Sequence, residues 1–207
     1  KCAITYLLPE EAAAFEEAID LDEDRLILRR VDATNAEAVN SFMKEVADTW
    51  GAIHMLCSLV GGWAGGRDVE ETDDVRFERM IDLNLRSAFY AVRAAVPYLR
   101  QAGWGRILLV GSKAVEEAPP GQAAFNIAKA GVVALAKTVA QELEGSGVTA
   151  NCLMPSVIDT PATRAALPYA DYVHWPTPEE IADVAAFVLS EQSRVMNGAT
   201  VRVYGRA

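Results

Sequence analysis

The chain has 207 residues, of which 51% are hydrophobic and 23% are charged. This composition excludes a disordered chain and suffices for one domain with a sizeable core. The 29 acidic and 19 basic residues give a formal net charge of -10, which argues against nonspecific nucleic-acid binding. We therefore predict a single folded domain over residues 1–207 that has no nucleic-acid partner.

Signals for membranes and metals are both missing from the sequence. No apolar run approaches the about 20 residues that a membrane helix needs, and no charged-then-apolar leader precedes the first predicted strand. We therefore expect a cytoplasmic protein without a membrane partner.

Cys2, Cys57 and Cys152 lie far apart in apolar contexts, without Cys-x-x-Cys spacing. This pattern predicts buried thiols in a reducing compartment, with neither a metal site nor a disulfide framework.

Short aliphatic or β-branched runs alternate with longer amphipathic segments along the chain. The predicted strands are Ala3–Leu8, Arg25–Val31, Ile53–Val60, Arg106–Val110, Val148–Met154 and Thr200–Val203. The predicted helices are Pro9 to about Ala18, Ala36–Trp50, about Asp74–Gln101, about Gln122–Glu144 and Pro178–Ser190. This alternation predicts an α/β fold with a doubly wound parallel sheet. Such sheets bind ligands beyond the carboxyl ends of their strands, so we expect the functional site there.

The predicted fourth helix contains the segment Phe125-Asn126-Ile127-Ala128-Lys129, in which positions 125 and 129 share one helical face. The segment looks like a catalytic Tyr-x-x-x-Lys helix in which phenylalanine has replaced the tyrosine. A tyrosine there could donate a proton while the lysine lowered its pKa, whereas Phe125 can only pack, stack or fill space. Taken alone, the segment is better explained as a core helix whose Lys129 extends to solvent.

Four more positions accompany this helix in a fixed order. They are Asp32 in Val31-Asp32-Ala33-Thr34, Asn84 in Leu83-Asn84-Leu85, Ser112 after the strand Arg106–Val110, and the turn Pro155-Ser156-Val157-Ile158-Asp159-Thr160. Singly, the first three are explained by a helix cap, a solvent-facing asparagine and a loop serine. Together, their order and spacing resemble the short-chain dehydrogenase/reductase family over essentially the whole chain. The resemblance implies a Rossmann-like fold and an NAD(H) or NADP(H) cofactor.

The resemblance also implies a role for each position. The implied catalytic positions are Asn84, Ser112, Phe125 and Lys129, and the implied cofactor contacts are Asp32, Ser58, Gly61, Lys129, Pro155 and Thr160. Asp32 would hold the adenine ring, and Asn84 would support Lys129 through a water. Ser112 would orient the substrate carbonyl, and Thr160 would contact the nicotinamide amide.

Two departures from the family pattern accompany the loss of the tyrosine. Ser58-Leu59-Val60-Gly61 stands where the family usually has Asn-Asn-Ala-Gly, so the cofactor would pass there with less polar support. The first predicted strand resembles the family's second strand, so the glycine-rich phosphate turn and its βα unit are missing. Their loss would leave two unpaired strand edges in the core. We therefore expect a truncated form of a longer protein, since a complete chain would close its sheet differently and make dinucleotide binding doubtful.

Two loops resemble those of dihydropteridine reductases within this family. The first, Gly61–Gly66, combines four glycines with Trp63, which suits a flexible lip with one stacking surface for a planar ring. A mobile turn whose tryptophan caps the core is nearly as good an explanation. The second loop runs from Asp159 to Pro178 and carries Tyr169 and Tyr172. It would form a substrate lid, or else an Ω-like surface excursion.

Two functions of different classes follow from these observations. The first is an NAD(P)-dependent oxidoreductase, here with a pterin-like or quinonoid small-molecule substrate that needs little acid assistance. Tyr169, Tyr172 or His174 could then substitute as proton donor. The second is a catalytically silent member of the family that serves as a binding or assembly subunit. The sequence does not distinguish NAD from NADP, because Leu7 and Leu8 follow the first predicted strand.

Small residues on the third and fourth predicted helices indicate self-association. The residues are Ala88, Ala91, Ala94, Ala95, Ala130, Gly131 and Ala134. The family resemblance implies that these helices pack against their symmetry mates, although burial within one subunit explains the small residues as well. We therefore expect a homodimer or homotetramer.

Overall fold

The computed structural model describes residues 1–19 and 21–205. Its strands are β1 Cys2–Tyr6, β2 Leu26–Arg30, β3 Met55–Ser58, β4 Gly105–Val110, β5 Val148–Pro155 and β6 Thr200–Val203. Its α-helices are α1 Pro9–Ala18, α2 Ala36–Trp50, α3 Asp74–Ile81, α4 Ser87–Ala102, α5 Ala114–Glu117, α6 Ala123–Glu142, α7 Pro161–Ala166 and α8 Pro178–Leu189. A π-helical segment, Asp82–Arg86, joins α3 to α4.

The strands form two parallel sheets, one of order β1-β2 and one of order β3-β4-β5-β6. Every observed strand pairing is parallel, and helices connect the successive strands. In the larger sheet, β4 and β5 pair from Gly105 opposite Val148 to Val110 opposite Leu153. The predicted Rossmann-like α/β fold is therefore confirmed.

Among the described residues, no strand lies between β1 and β3 and pairs with both of them, so the two sheets are separate. These are the unpaired edges that the sequence led us to expect. Cys2 on β1 and Cys57 on β3 are both exposed, so the prediction of buried thiols is wrong for them and holds only for Cys152. Desolvation by protein on either side still raises the pKa of Cys57 to about 11, and the Cys2 thiol adds to that rise. The Cys2 and Cys57 thiols are therefore near enough to interact.

The core is centred on the larger sheet and α6. All eight residues of β5 are buried, as are Ile107, Leu108 and Leu109 of β4. Helix α6 packs on these strands with a face that includes Ala128, Val132, Ala136 and Val139. By length and composition alone, α6 is apolar enough to cross a membrane, but half of its most apolar stretch is buried inside the protein. Its apolar face is used in the core, which is a common reason for a helix of a globular domain to pass this test.

Helix boundaries follow local capping chemistry. Asn35 and Thr177 accept hydrogen bonds from the backbone N–H groups of Ala38 and Glu180, so α2 and α8 begin where predicted. Strand β1 ends at Tyr6 and not at Leu8, because the Glu11 carboxylate accepts the N–H groups of residues 7 and 8 at the start of α1. Those amides therefore do not extend the strand.

Besides β1, four more predicted strands and one long helix differ in their bounds from the structure. Strands β2, β3, β4 and β5 are Leu26–Arg30, Met55–Ser58, Gly105–Val110 and Val148–Pro155, and only β6 has its predicted bounds. The single helix predicted over about Asp74–Gln101 changes to π geometry at Asp82–Arg86. Asn84 lies within this turn and donates to the Met80 carbonyl at 3.1 Å. Single π turns within helices are frequent at functional sites.

Candidate active site

Lys129 is buried against the larger sheet. Its side chain is on the inner face of α6, and the residue is only 7% exposed. Nζ donates a hydrogen bond to the Val110 carbonyl at the end of β4, at 2.8 Å. Desolvation lowers the pKa of Lys129 from 10.5 to about 8. The alternative in which Lys129 extends to solvent is therefore wrong.

Phe125 lies one helical turn before Lys129 and is also buried. Its ring packs in a small cluster with Met80 and Ala124, against which Phe77 and Ala114 are placed. Phe125 has no proton to give, and its surroundings are those of an ordinary apolar side chain. The residue therefore contributes shape and an apolar surface to the site.

Ser112 lies close to both of these residues. It follows β4 two positions after Val110, whose carbonyl accepts from Lys129, and it precedes Ala114, which packs near Phe125. Its Oγ accepts the N–H of Ala114 at 3.2 Å, which leaves the hydroxyl proton available to a ligand. The three predicted positions thus converge at the carboxyl end of β4.

Asn84 completes the bottom of the site and is 1% exposed. Its Oδ1 accepts the N–H of Gly62 at 3.1 Å, and its Nδ2 donates to the Gly62 carbonyl at 3.0 Å. The solvent-facing alternative is therefore wrong, because the amide ties the loop after β3 to the π turn. We refer to Asn84, Ser112, Phe125 and Lys129 as the floor of the site.

Gly61 lies directly over the floor. A Cβ atom at this position would lie 2.9 Å from Asn84 Oδ1 and 3.2 Å from Lys129 Nζ. The first distance is shorter than ordinary contacts, and Asn84 is held by three hydrogen bonds to backbone groups, so it could not easily give way. Gly61 therefore packs closely over Asn84 and Lys129, at a position where any side chain would crowd both groups.

The other predicted cofactor contacts lie at or just beyond the carboxyl ends of strands in both sheets. Ser58 is the buried last residue of β3, and Pro155 is the buried last residue of β5. Lys113 donates its backbone N–H to the Pro155 carbonyl at 2.9 Å, so the ends of β4 and β5 are joined beside Ser112. Thr160 begins α7, and its Oγ1 accepts the N–H of Thr163.

Asp32 follows β2 and is exposed. Its Oδ1 accepts hydrogen bonds from the backbone and hydroxyl of Thr34, at 2.8 and 2.7 Å, and these bonds lower the pKa of the carboxyl group. The alternative of a helix cap is wrong, because Asn35 caps α2. Asp32 is thus an ionised, exposed group just after a strand end, a suitable place for a contact with a nucleotide.

These residues fit one part of a dinucleotide site. Ser112 and Lys129 offer a hydroxyl and an ammonium group near the end of β4, and Gly61 permits a close approach of the backbone there. A glycine-rich strand-turn-helix, which would hold a pyrophosphate, does not occur among residues 1–19 and 21–205. The described residues therefore fit the nicotinamide and ribose portion of such a cofactor.

Trp63 stands at the opening of the site and is 62% exposed. Its indole Nε1 donates to Gln122 Oε1, just before α6, at 2.6 Å. Gly65 lies against the ring, since a Cβ there would be 2.5 Å from it. The alternative in which Trp63 caps the core is therefore wrong. Sequence reasoning missed Gln122, because nothing in the chain connects two residues 59 positions apart.

The predicted lid, from Asp159 to Pro178, contains more structure than expected because it includes α7. Arg164 donates to the Asp159 carboxylate at 2.7 Å and lies over the ring of Tyr172 at 4.5 Å. Tyr172 in turn contacts Trp175. Tyr169, by contrast, is 100% exposed. We refer to Trp63, Gln122 and this segment as the rim of the site.

No hydrogen bond or ring contact joins Tyr169, Tyr172 or His174 to the floor within the described part of the chain. Tyr172 is instead occupied by Arg164 and Trp175. A role for one of these three as a substitute acid would require a movement of the rim. That role stays a prediction.

Comparison with known proteins is consistent with this arrangement. A family model described as enoyl-(acyl carrier protein) reductase matches residues 1–205. The chain is 32% identical over 182 residues to the 3-oxoacyl-[acyl-carrier-protein] reductase MabA of Mycobacterium tuberculosis, covering 84% of this chain and 73% of MabA. It is also 32% identical over 184 residues to 2-dehydro-3-deoxy-L-rhamnonate dehydrogenase (NAD(+)) of Sphingomonas sp., covering 84% of this chain and 74% of that protein.

A solved structure gives the same fold. A short-chain type dehydrogenase/reductase from Mycobacterium ulcerans superposes with a TM-score of 0.91 at 24% identity, covering 99% of this chain and 79% of that one. The likeness extends over the whole described chain, including both sheets. The chain belongs to the short-chain dehydrogenase/reductase family.

Proposed function

We propose that this protein is a nicotinamide-dependent oxidoreductase that reduces a planar, already activated acceptor of the pterin-like or quinonoid class. The relatives support an oxidoreductase with a nicotinamide cofactor in general. The narrower choice of acceptor is carried by one observation, the buried phenyl ring of Phe125 beside Ser112 and Lys129.

The chemistry of the floor disfavours simple ketones. A positioned general acid commonly contributes about a hundredfold to ten-thousandfold to the rate of proton transfer, and Phe125 removes the hydroxyl that would act in this way. Ser112 can orient an acceptor by a hydrogen bond, but an alcohol is a weak acid. A quinonoid ring is already electron-poor, so positioning beside the hydride donor supplies more of the required acceleration.

The rim has a surface that suits a flat substrate. The indole of Trp63 is exposed on one side, and a hydrogen bond to Gln122 restrains its ring. A second link, from the Arg67 N–H to the Gly121 carbonyl at 3.2 Å, joins the same two loops. A restrained, exposed indole is a good surface on which a heterocycle can stack.

The floor would hold the reactive end of the cofactor. A reduced nicotinamide, when bound, supplies the hydride. Lys129 would hold the ribose, Ser112 would orient the acceptor, and the cofactor would pass the backbone at Ser58 and Gly61. Asp32 would hold the adenine end, and Thr160 would contact the nicotinamide amide. The cofactor would be NAD(H) or NADP(H).

The proposal is tested by comparing acceptors. Purified protein is given NADH or NADPH with a quinonoid dihydropterin or with a 3-oxoacyl thioester, and oxidation of the nicotinamide is followed by absorbance. We expect turnover of the quinonoid acceptor above a control without protein, and reduction of the 3-oxoacyl thioester at a rate lower by about a hundredfold or more. Equal or faster reduction of the 3-oxoacyl thioester would contradict the proposed substrate class.

A catalytically silent binding or assembly subunit is the second candidate, and the missing hydroxyl of Phe125 favours it as well. The two candidates differ in cofactor binding and turnover. A silent subunit would oxidise neither NADH nor NADPH with any acceptor. Fluorescence titration of the protein with each nucleotide, alongside the turnover assay, separates a silent protein that binds the cofactor from one that does not.

We also propose that the protein is a homodimer or a homotetramer in which two copies pack against each other through α4 and α6. A shallow groove of about 420 Å³ lies between α6 and the segment from Ile81 to Phe89, which runs from the end of α3 through the π segment into α4, and most of its lining is apolar. Phe89 lies in it and is 43% exposed. A second copy that presents the same groove would cover this surface by two-fold symmetry.

The oligomer is tested by size in solution at micromolar concentration. We expect Phe89→Glu to shift the protein toward monomer, because it puts charge into the covered surface. Val195→Glu, at an 84% exposed residue outside the groove, is the matched control and should leave the size unchanged. A wild-type protein that is only monomeric would contradict the proposal.

A further inference from the structure

We propose that the ammonium group of Lys129 is the proton donor of this site, in place of the hydroxyl that Phe125 lacks. The inference rests on the proposed function, because it assigns the proton that accompanies reduction of the acceptor. It gives Lys129 a catalytic role beyond the supporting one that the family resemblance implies.

The hydrogen bonds of Lys129 leave protons for a ligand. Among the described residues, Nζ donates only to the Val110 carbonyl, at 2.8 Å. An ammonium group has three N–H bonds, so two remain for an acceptor or for water. A Cβ at Gly61 would lie 3.2 Å from Nζ, and Gly61 is exposed. The lack of a side chain at Gly61 therefore leaves Nζ less covered than any other residue at this position would.

The charges around Lys129 do not hold its proton in place. From the π turn it faces the uncharged Asn84, and from β4 it faces the Val110 carbonyl. From β5 it faces the Cys152 thiol, which raises the pKa of Lys129, but desolvation has the larger effect and brings that pKa down to about 8. In the described part of the chain, no carboxylate forms an ion pair with Lys129. A buried cation without a counter-ion gives up its proton more easily than an exposed one.

The balance of the step is simple. One N–H bond of the Lys129 ammonium breaks, and a bond from that proton to a nitrogen or oxygen of the acceptor forms. The acceptor is reduced by the hydride of a reduced nicotinamide, which is itself oxidised. Lys129 is left as a neutral amine and recovers a proton from water. Because desolvation lowers its pKa to about 8, both forms of the group are accessible near neutral pH.

The critical comparison is between Lys129→Arg and the wild type. Arginine keeps the positive charge but does not release a proton below about pH 12. With a quinonoid dihydropterin and saturating NADH, we expect Lys129→Arg to lower kcat by about a hundredfold. Phe125→Tyr in the same background should restore part of kcat, because the tyrosine then supplies the proton. The wild-type kcat should fall as the pH rises through about 8.

A second readout requires no cofactor. In protein labelled with ¹³C at lysine Cε, the resonance that disappears in Lys129→Gln should titrate near pH 8. Lys44 is the internal control, because Asp48 raises its pKa above the ordinary value. This measurement remains informative if Lys129→Arg fails to fold.

Each outcome has a definite meaning. The inference alone is overturned if wild type reduces the acceptor and Lys129→Arg keeps kcat within threefold, or if the Lys129 resonance does not titrate below pH 10. It is also overturned if Tyr169→Phe combined with Tyr172→Phe loses as much kcat as Lys129→Arg, since the rim would then supply the proton. If wild type reduces no acceptor, the proposed function fails and the inference fails with it.

Discussion

The floor and the rim of the site are built on opposite principles. Asn84, Phe125 and Lys129 are at most 8% exposed and are held by the packing of the π turn, α6 and the larger sheet. Trp63 and Tyr169 are 62% and 100% exposed, and Trp63 is restrained by one side-chain hydrogen bond. A buried floor limits which proton donors can act, whereas an exposed rim can change without loss of the fold. Substitutions should therefore separate chemistry from substrate preference.

The largest expected effect comes from restoring the hydroxyl of the floor. Phe125→Tyr should raise reduction of a 3-oxoacyl thioester by about a hundredfold or more, because it adds a general acid beside Lys129. Turnover of the quinonoid acceptor should change far less. The measurement is kcat/KM for both acceptors in wild type and variant. An unchanged ratio in a variant that still binds NAD(P)H would mean that more than the hydroxyl is missing.

The buried charge of the floor predicts a pH-dependent stability. The folded-state pKa of Lys129, about 8, is below its ordinary value of 10.5. Burial of the charged lysine therefore destabilises the folded protein. The whole of this penalty on the free energy of unfolding is present at pH values below 8, and it disappears as the pH rises from 8 to 10.5. The difference in unfolding free energy between wild type and Lys129→Gln should shift in favour of wild type by about 3 kcal/mol across this window.

Urea unfolding at several pH values measures this difference. The thiols of Cys57 and Cys152 have raised pKa values, so they oppose the trend as the pH rises above 9, but they are present in both proteins and largely cancel. Lys44→Gln is the control, because Lys44 is exposed and its pKa is raised by Asp48. It should show no gain in the same window, and a flat difference for Lys129→Gln would contradict the buried cation.

A rim substitution should act on substrate binding alone. Trp63→Leu removes the stacking surface, so we expect KM for the quinonoid acceptor to rise by about tenfold with the melting temperature unchanged. Trp104→Leu is the matched control, since Trp104 is 39% exposed and stacks on His54 away from the site. A large loss of kcat in Trp63→Leu, with KM constant, would place the tryptophan in the chemistry instead.

The smallest effect is expected from the residue that restrains Trp63. Gln122→Met removes the acceptor for the indole N–H, and we expect KM to rise roughly threefold while kcat is kept. Gln122→Glu keeps an oxygen at a similar position and should behave like wild type. If the methionine and glutamate variants have the same KM, the hydrogen bond does not orient the ring.

The sequence predicted much of the frame of this site. Alternating apolar and amphipathic segments predicted all six strands, and the starts of α2 at Ala36 and of α8 at Pro178 were predicted correctly. These signals are local, because a strand or a cap is encoded in a few neighbouring residues. The spacing of Phe125 and Lys129 likewise placed both on one helical face.

Tertiary structure decided the features that depend on distant residues. The π turn at Asn84, the bond from Trp63 to Gln122 and the burial of Lys129 each involve partners from separate segments. The exposure of Cys2 and Cys57 depends on which strand edges are paired, and local hydrophobicity does not encode that. Sequence pattern thus determined which groups the site contains, while packing decided which of them are buried, charged and open to a ligand.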